Sequence, residues 1–305
     1  MSLELRAPCP DDAAELAAVA DEFGRVKDGD RITEDKVEAW LGTPSIDIEQ
    51  DARVALVDGS IAGYGDVFDS SRQGKLLWLF LAAHPAHPDV WPPLLAFLEE
   101  RAAGLAAPGG RVKTTVPEKA ADLHAALEAR GYEFKRFSFR MTASLDGDLP
   151  EPEWPEGISV RPFAGDEDAR PAYEVQEETF ADHEDHSPIS YEDWRFWSFR
   201  EPFDPELWFL AFGDRELQGI CLCRPEWDGD PSFGWVSVLG VRRLWRRHGL
   251  GLALLRHAFR ELRARGKTRV GLGVDAENET GAVQLYERAG MEVARRRLCY
   301  QKALG

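Results

Sequence analysis

The chain has 305 residues, 44% of them hydrophobic, and 54 acidic against 37 basic residues give it a formal net charge of −17. That length points to two domains with proper hydrophobic cores, and that charge excludes a nucleic-acid surface or an anionic membrane as partner, since both need a basic face. No apolar run approaches the ~20 residues that cross a bilayer, and the opening MSLELRAPCPDD lacks the basic start and apolar core of a signal peptide; the expected location is the cytoplasm.

In chain order, Leu3-Glu4-Leu5-Arg6 reads as an opening strand, Val57 to Gly63 as a hairpin, and Trp78-Leu79-Phe80-Leu81 as a second strand. Leu127 to Tyr132 ends a helix at Gly131. Residues 146–157 are rich in Pro, Asp and Glu, lack periodicity, and read as a linker. Beyond it the order returns, in Ile158-Ser159-Val160-Arg161, the hairpin Gly213 to Gly219, Trp235-Val236-Ser237-Val238, and Tyr286 to Met291. Arg161 lies 155 residues after Arg6, Gly219 156 after Gly63, Trp235 157 after Trp78, and Gly290 159 after Gly131. A slowly drifting offset is what two copies with small insertions produce, and each copy reads as a mixed sheet with helices on both faces.

Within the second copy, the stretch from Phe180 to Pro188 holds His183 and His186 with Asp182, Glu184 and Asp185. The two histidines are three apart, but no second cluster or rigid turn completes a site, so no metal is expected. Trp194, Phe196, Trp197 and Phe199 read as core or groove lining. Cys221 and Cys223 point to one face of a strand and, with isolated Cys9 and Cys299, fit neither a disulfide framework nor a zinc pattern.

The most informative stretch follows the apolar strand Trp235 to Val241. Arg246-Arg247-His248-Gly249-Leu250-Gly251 is a basic, glycine-bearing turn that opens a helix ending at Gly266. Free N–H groups gather at such a helix start, the glycines let backbone close on a bulky anion, and the arginines add formal charge. A pyrophosphate is the expected ligand. Downstream, Val270, Leu272 and Val274 alternate as a strand, Asn278 sits where a helix N-cap is wanted, and Ala282, Leu285 and Ala289 form a stripe before Gly290. With an offset of 157, Arg246, Gly249 and Gly251 fall on Asp89, Pro92 and Leu94 of the first copy, and Tyr286 answers to Leu127. An acid and a proline pair stand where cations and N–H donors are needed, so the first copy is expected to lack this anion grip.

The turn Arg-x-x-Gly-x-Gly, followed by Asn278-x3-Ala282-x2-Leu285-Tyr286-x3-Gly290, resembles the GNAT acetyltransferase superfamily, specifically over Val236 to Tyr300 and loosely from Ile158. The tandem layout is similar to that of mycothiol synthase and its relatives. The resemblance implies an α/β (α+β) fold of two GNAT-like domains, each a mixed, mostly antiparallel sheet with helices on both faces. Their expected extents are 1–145 (degenerate), 146–157 (linker) and 158–305 (catalytic). It implies acetyl-CoA as co-substrate, its pantetheine arm along Leu239, Gly240 and Val241 beside a splayed strand, with an N–H near Leu239 or Gly240 facing the thioester oxygen. Gly240 suits a bulge there. Arg246, Arg247, His248, Gly249, Leu250 and Gly251 would hold the pyrophosphate, while Asn278 would contact pantetheine or only cap its helix. Tyr286 answers to the family's general acid, or is a core aromatic beside Leu285.

Some members place a glutamate base six residues before the valine aligned with Val241; here that position is Trp235, which accepts no proton. Asp275, Glu277 and Glu226 are available carboxylates. The resemblance lays the loop carrying Asp182, Glu184 and Asp185 over the acceptor, so these three read either as acceptor-binding groups for a cationic small-molecule amine or as solvated surface. Direct acetyl transfer to an amine is the expected reaction. An acyl-CoA sensor without catalysis and a protein N-terminal acetyltransferase are the rivals.

Overall fold

The period-two and period-3.6 patterns of the first half fold into β1 (Leu3–Arg6), α1 (Ala13–Lys27), α2 (Glu34–Leu41), α3 (Ile48–Asp51), β2 (Ala52–Val57), β3 (Ser60–Phe68), β4 (Leu76–Ala83), α4 (Trp91–Leu105), β5 (Arg111–Pro117), α5 (Ala121–Ala129) and β6 (Glu133–Ser144). The second half repeats the order with β7 (Ile158–Pro162), α6 (Asp166–Phe180), α7 (Tyr191–Ser198), β8 (Trp208–Gly213), β9 (Glu216–Arg224), β10 (Phe233–Val241), α8 (Leu250–Ala264), β11 (Arg269–Asp275), α9 (Ala282–Arg288) and β12 (Glu292–Ala303). The computed structural model describes residues 2–182, 185–278 and 281–305.

The repeat extends to single contacts. The register of β2 against β3 shifts between Ala55 and Leu56, and that of β8 against β9 between Ala211 and Phe212, 156 residues later in each case. Arg6 grips both oxygens of Asp12 at 2.7 Å, and Arg161 grips Asp168 at 2.6 and 2.7 Å. Each aspartate also accepts a backbone N–H, from Cys9 or from Ala164, so the first strand of each copy is pinned to the approach to its first long helix.

The chain gathers into two units, one of residues through Ser138 plus Arg295–Gly305, the other of Phe139–Ala294. These bounds differ from division at 146–157. In the first unit the strands run β1-β2-β3-β4-β5 and then β12, with β4 and β5 parallel. Arg297 to Ala303 of β12 pair antiparallel with Pro117 to Arg111, and Tyr300 enters the core around Leu94, Leu98 and Leu123. In the second unit the order is β6-β11-β10-β9-β8-β7. Met141, Ala143 and Leu145 bury there against Leu254, Leu262 and Val270. Residues 139–144 of β6 and 295–303 of β12 therefore belong to the unit of the other copy. Alternation in β6 and β12 specifies which side chains are buried, but not which sheet receives them.

Residues 146–157 form no helix or strand, as their composition implies, yet they are packed. Leu149 and Trp154 join the core of the second unit, and the polar face of α8 grips the segment through three arginines. Arg260 donates to Leu149 O at 2.9 Å, Arg263 to Gly147 O at 2.6 Å, and Arg256 to Glu153 at 3.0 Å. The opposite face of α8 buries Leu250, Leu254, Ala258 and Leu262.

Candidate functional site

The parallel pairing of β10 with β11 covers only Phe233 to Trp235 against Arg269 to Gly271. Beyond that point the strands part. Leu239, Gly240 and Val241 pair on their other side with Cys221, Ile220 and Gly219 of β9, so their β11-facing edge has no strand partner among the described residues. Backbone groups on such an edge are free to bind a ligand arm. Gly273 of β11 is exposed, and a Cβ there would meet nothing within 4 Å, so the opening is not filled from that strand.

The bulge expected at Gly240 lies elsewhere. The register of β10 against β9 shifts between Val236 and Val238, leaving exposed Ser237 as the extra residue at the mouth of the splay. Gly240 is glycine for another reason: a Cβ there would stand 2.5 Å from Thr179 Oγ1, where α6 crosses the strand.

Helix α8 starts from Gly249, whose φ of +87° favours glycine; a Cβ there would meet nothing within 4 Å, so the space before the helix is open. Arg247 also takes a left-handed φ, +65°, and Arg247, His248 and Gly249 are exposed. Leu250 and Gly251, in the first turn, have no intrahelical acceptor for their N–H groups. These residues fit a diphosphate: N–H donors of the helix start and the exposed Arg247 stand at the open space before the helix. Arg246 is turned away from it. Its Nε donates to Val241 O at 2.9 Å, Nη1 to Asp182 at 2.7 Å, and Nη2 to Thr179 O at 3.2 Å.

Helix α9 brings the second motif to the first. A Cβ on Gly251 would stand 3.1 Å from Leu285 Cδ1 and 3.7 Å from Val241 Cγ2, so β10, α8 and α9 converge there. Tyr286, next in sequence, is 9% exposed in the core that holds Cys221 and Leu250. Burial, with the nearby Cys221, pushes its phenol well above its usual range and keeps the proton on oxygen. The stripe is wider than expected: Ala282, Leu285 and Ala289 are half-buried, and Tyr286 is the buried residue. Asn278 is not the N-cap of α9. That position belongs to Gly281 with φ +78°, because the chain turns first at Asp275, whose backbone O accepts from Asn278 N–H and whose Oδ1 accepts from Glu277 N–H.

The acceptor-side loop is split by its contacts. Asp182 does not stand free: Arg243 and Arg246 both donate to it and hold its carboxyl well below the usual range. Glu184 and His183 lie outside the described residues, and Asp185 is half-buried. His186 Nε2 stands 3.5 Å from Glu177 of α6. Sequence reading passed over Glu177, whose carboxyl burial pushes up to about 6 while an Ile189 N–H pulls the other way. Its position on the α7-facing flank of an amphipathic helix was the available signal. Trp235 is buried, stacked on Trp227 with ring centroids 4.3 Å apart, and Arg140 lies 5.0 Å over its face. Arg140 in turn pairs with buried Asp228 at 2.7 Å. Trp194 and Phe199 belong to the core beneath α6 and α7. All four cysteines are free, and among the described residues no three metal-ligating side chains cluster.

In the first copy the strands also part, after Leu79 and Thr114. There the start of α4 is closed. Trp91 is 1% exposed, packs edge-on against Phe23, and donates from its indole to Asp122 at 3.1 Å, while Pro92 and Pro93 remove N–H donors from the first turn. Leu127, at the place of Tyr286, is wholly buried.

The profile of the Acetyltransferase (GNAT) family matches residues 169–291, the stretch from α6 through α9. A mycothiol acetyltransferase of Streptomyces griseus subsp. griseus is 30% identical over 77% of this chain and 74% of its own length. Other mycothiol acetyltransferases match at 34–36% identity over shorter stretches, and the chain spans about half the length of these curated relatives. Among solved structures, a GCN5-related N-acetyltransferase from Sphaerobacter thermophilus superposes with a TM-score of 0.79 at 32% identity, covering 99% of this chain and 96% of that one. A tandem GNAT protein from the clavulanic acid biosynthesis pathway shares the fold, with a TM-score of 0.75 at 17% identity over 100% and 99% of the two chains. No helix among the described residues is long and apolar enough to cross a membrane. With the splayed strands, the glycine-opened helix and these matches together, the chain belongs to the acetyltransferase (GNAT) family of enzymes, in a tandem form with two GNAT-like domains.

Proposed function

We propose that the chain transfers an acetyl group from acetyl-CoA to the amine of a small molecule, at one site in its second copy. The observation that carries this reading is the parting of β10 from β11 beyond Trp235, leading straight into a helix opened at Gly249 with buried Tyr286 alongside. When bound, acetyl-CoA supplies an acetyl thioester. The unpaired edge of Leu239 to Val241 aligns its arm, and the N–H groups around Gly249 to Gly251 with exposed Arg247 hold its diphosphate. As the new C–N bond forms and the C–S bond breaks, Tyr286 gives its phenolic proton to the departing sulfur, and the proton lost by the amine restores the balance. Asn278, close in sequence to α9, is assigned to the pantetheine side.

The mycothiol acetyltransferases matched support a small-molecule acceptor over a protein terminus. The net charge of −17 favours a cationic amine, drawn by the field of the whole chain. A thiol-release assay with acetyl-CoA and panels of cationic, neutral and anionic amines and of peptides tests the proposal. Turnover with a cationic small amine, its advantage shrinking as salt is raised from 0.02 to 0.5 M or so, is the expected result. Tight coenzyme binding with no turnover on any amine would favour a sensor instead.

A further inference from the structure

Asp182 sits two residues past the end of α6, at the start of the connector to α7. Its carboxylate accepts from Arg243 Nε at 3.1 Å, from Arg243 Nη2, and from Arg246 Nη1 at 2.7 Å. Arg246 further ties the end of β10, at Val241 O, to the last turn of α6, at Thr179 O. One turn back on α6, Glu178 pairs with Arg242 at 3.0 Å. Three arginines of the turn after β10 are therefore braced against one helix end, where Thr179 already presses on Gly240. Arg247, in the same turn, is exposed.

We propose that Asp182 is a positioning residue for the coenzyme cradle, fixing the Arg243–Arg246 turn against α6 rather than receiving the acceptor. This inference rests on the coenzyme reading above. Arg243 is 72% exposed and is held by Asp182. Without that carboxylate the side chain regains its rotamer freedom and must be ordered when a ligand binds. The carboxylate's own repulsion of a diphosphate acts through solvent and is screened over about 10 Å at 0.1 M salt, whereas lost order in the turn is not screened. Asp182 with Arg243 and Arg246 still leaves one net positive charge beside the cradle.

The first copy offers an independent parallel. Lys27, the last residue of α1, pairs with Asp122 at 2.6 Å, and Asp122 accepts the indole N–H of Trp91 at the start of α4. In the first copy Asp122 of α5 links the end of the first long helix, through Lys27, to the start of α4, through Trp91; in the second the carboxylate past α6 pairs directly with the turn before α8. In the first copy the tie closes the cradle over a buried tryptophan; in the second it leaves Arg247 to Gly249 exposed.

Calorimetry with coenzyme A on the full chain tests this, using Asp182→Asn, Asp182→Glu, Arg243→Gln, Arg246→Gln and the double variant Asp182→Asn/Arg246→Gln. Asp182→Asn and Arg243→Gln should each weaken coenzyme A about three- to tenfold, with Asp182→Glu recovering most of the loss. The double variant should fall below Arg246→Gln by less than Asp182→Asn falls below wild type, because part of the aspartate's effect runs through that arginine and the rest through Arg243. In thiol release with an amine that wild type accepts, Asp182→Asn should raise the KM for acetyl-CoA and leave that for the amine in place. Unchanged or tighter coenzyme binding in Asp182→Asn, or a raised KM for the amine alone, would overturn the positioning role while leaving the enzyme reading intact. A wild-type chain that binds no coenzyme A would overturn both.

Discussion

Gly251 and Leu285 meet where the two motifs join: a Cβ on Gly251 would stand 3.1 Å from Leu285 Cδ1, so the coenzyme helix and the helix of Tyr286 approach at a glycine. Alanine asks the leucine to give by a few tenths of an ångström and gains helix propensity, so Gly251→Ala should unfold within about 1 kcal/mol of wild type. Gly251→Val adds branches with nowhere to go and should cost about 1–3 kcal/mol. Both should weaken coenzyme binding, valine by more, because the first turn shifts as the leucine yields. Denaturant unfolding with calorimetry checks this; valine with wild-type affinity would separate this helix contact from the cradle.

One coenzyme site per chain is expected. Trp91 and the prolines close the first copy, and the second presents exposed Arg247 with free N–H groups. Arg247→Glu should weaken acetyl-CoA at least about tenfold, as charge reversal at a helix N-terminus does when a polyanion is bound. Calorimetry counts the sites directly, and a stoichiometry of two equivalent sites contradicts the closed first copy.

Tyr286→Phe removes only a hydroxyl, so coenzyme affinity should hold while turnover falls by about 10²–10⁴-fold. Since burial raises the phenol above its ordinary value of 10.0, it stays protonated in the fold at pH where the unfolded chain begins to ionise. Stability from this group is therefore full below about pH 10 and falls as pH rises further. Wild type should lose stability above pH 10 faster than Tyr286→Phe, measured by urea unfolding between pH 8 and 11.

Asp66 is buried in the first unit, and its carboxyl is pushed up to about 7, chiefly by burial, with Asp51 adding and a Tyr64 contact opposing. The unfolded chain releases this proton near pH 4, the fold near 7, so the group contributes stability below about pH 4 that is lost progressively by pH 7. Over that window Asp66→Asn should flatten a decline of a few kcal/mol attributable to this residue. Parallel pH profiles for the two proteins would show that Asp66 does not titrate in that range.

Local order was legible in the residues themselves. The drifting offset identified the tandem repeat, and the turn at Gly249 identified the start of α8, because glycine spacing and hydrophobic period are properties of a short stretch. Asp89, Pro92 and Leu94 showed that the first copy lacked cradle groups, though not that Trp91 filled the space. Close approach across elements was hidden. Gly240 is glycine because Thr179, on a helix some sixty residues away, crosses it, and the bulge lies at Ser237, where β10 pairs with β9. Asp182 reads in sequence as an acceptor-binding or solvated carboxylate, because its ion pairs with Arg243 and Arg246, some sixty residues on, exist only in the fold.

The sequence by itself determined the family, the repeat and the helix that follows the Arg246–Gly251 turn, since periodicity, turn chemistry and charge act over a few residues at a time. Only the tertiary structure decided that β12 pairs with β5 and that Met141, Ala143 and Leu145 bury in the second unit. A strand's alternation specifies a face, but its unpaired edges accept any partner of the right register. The choice is made by which core its side chains can fill.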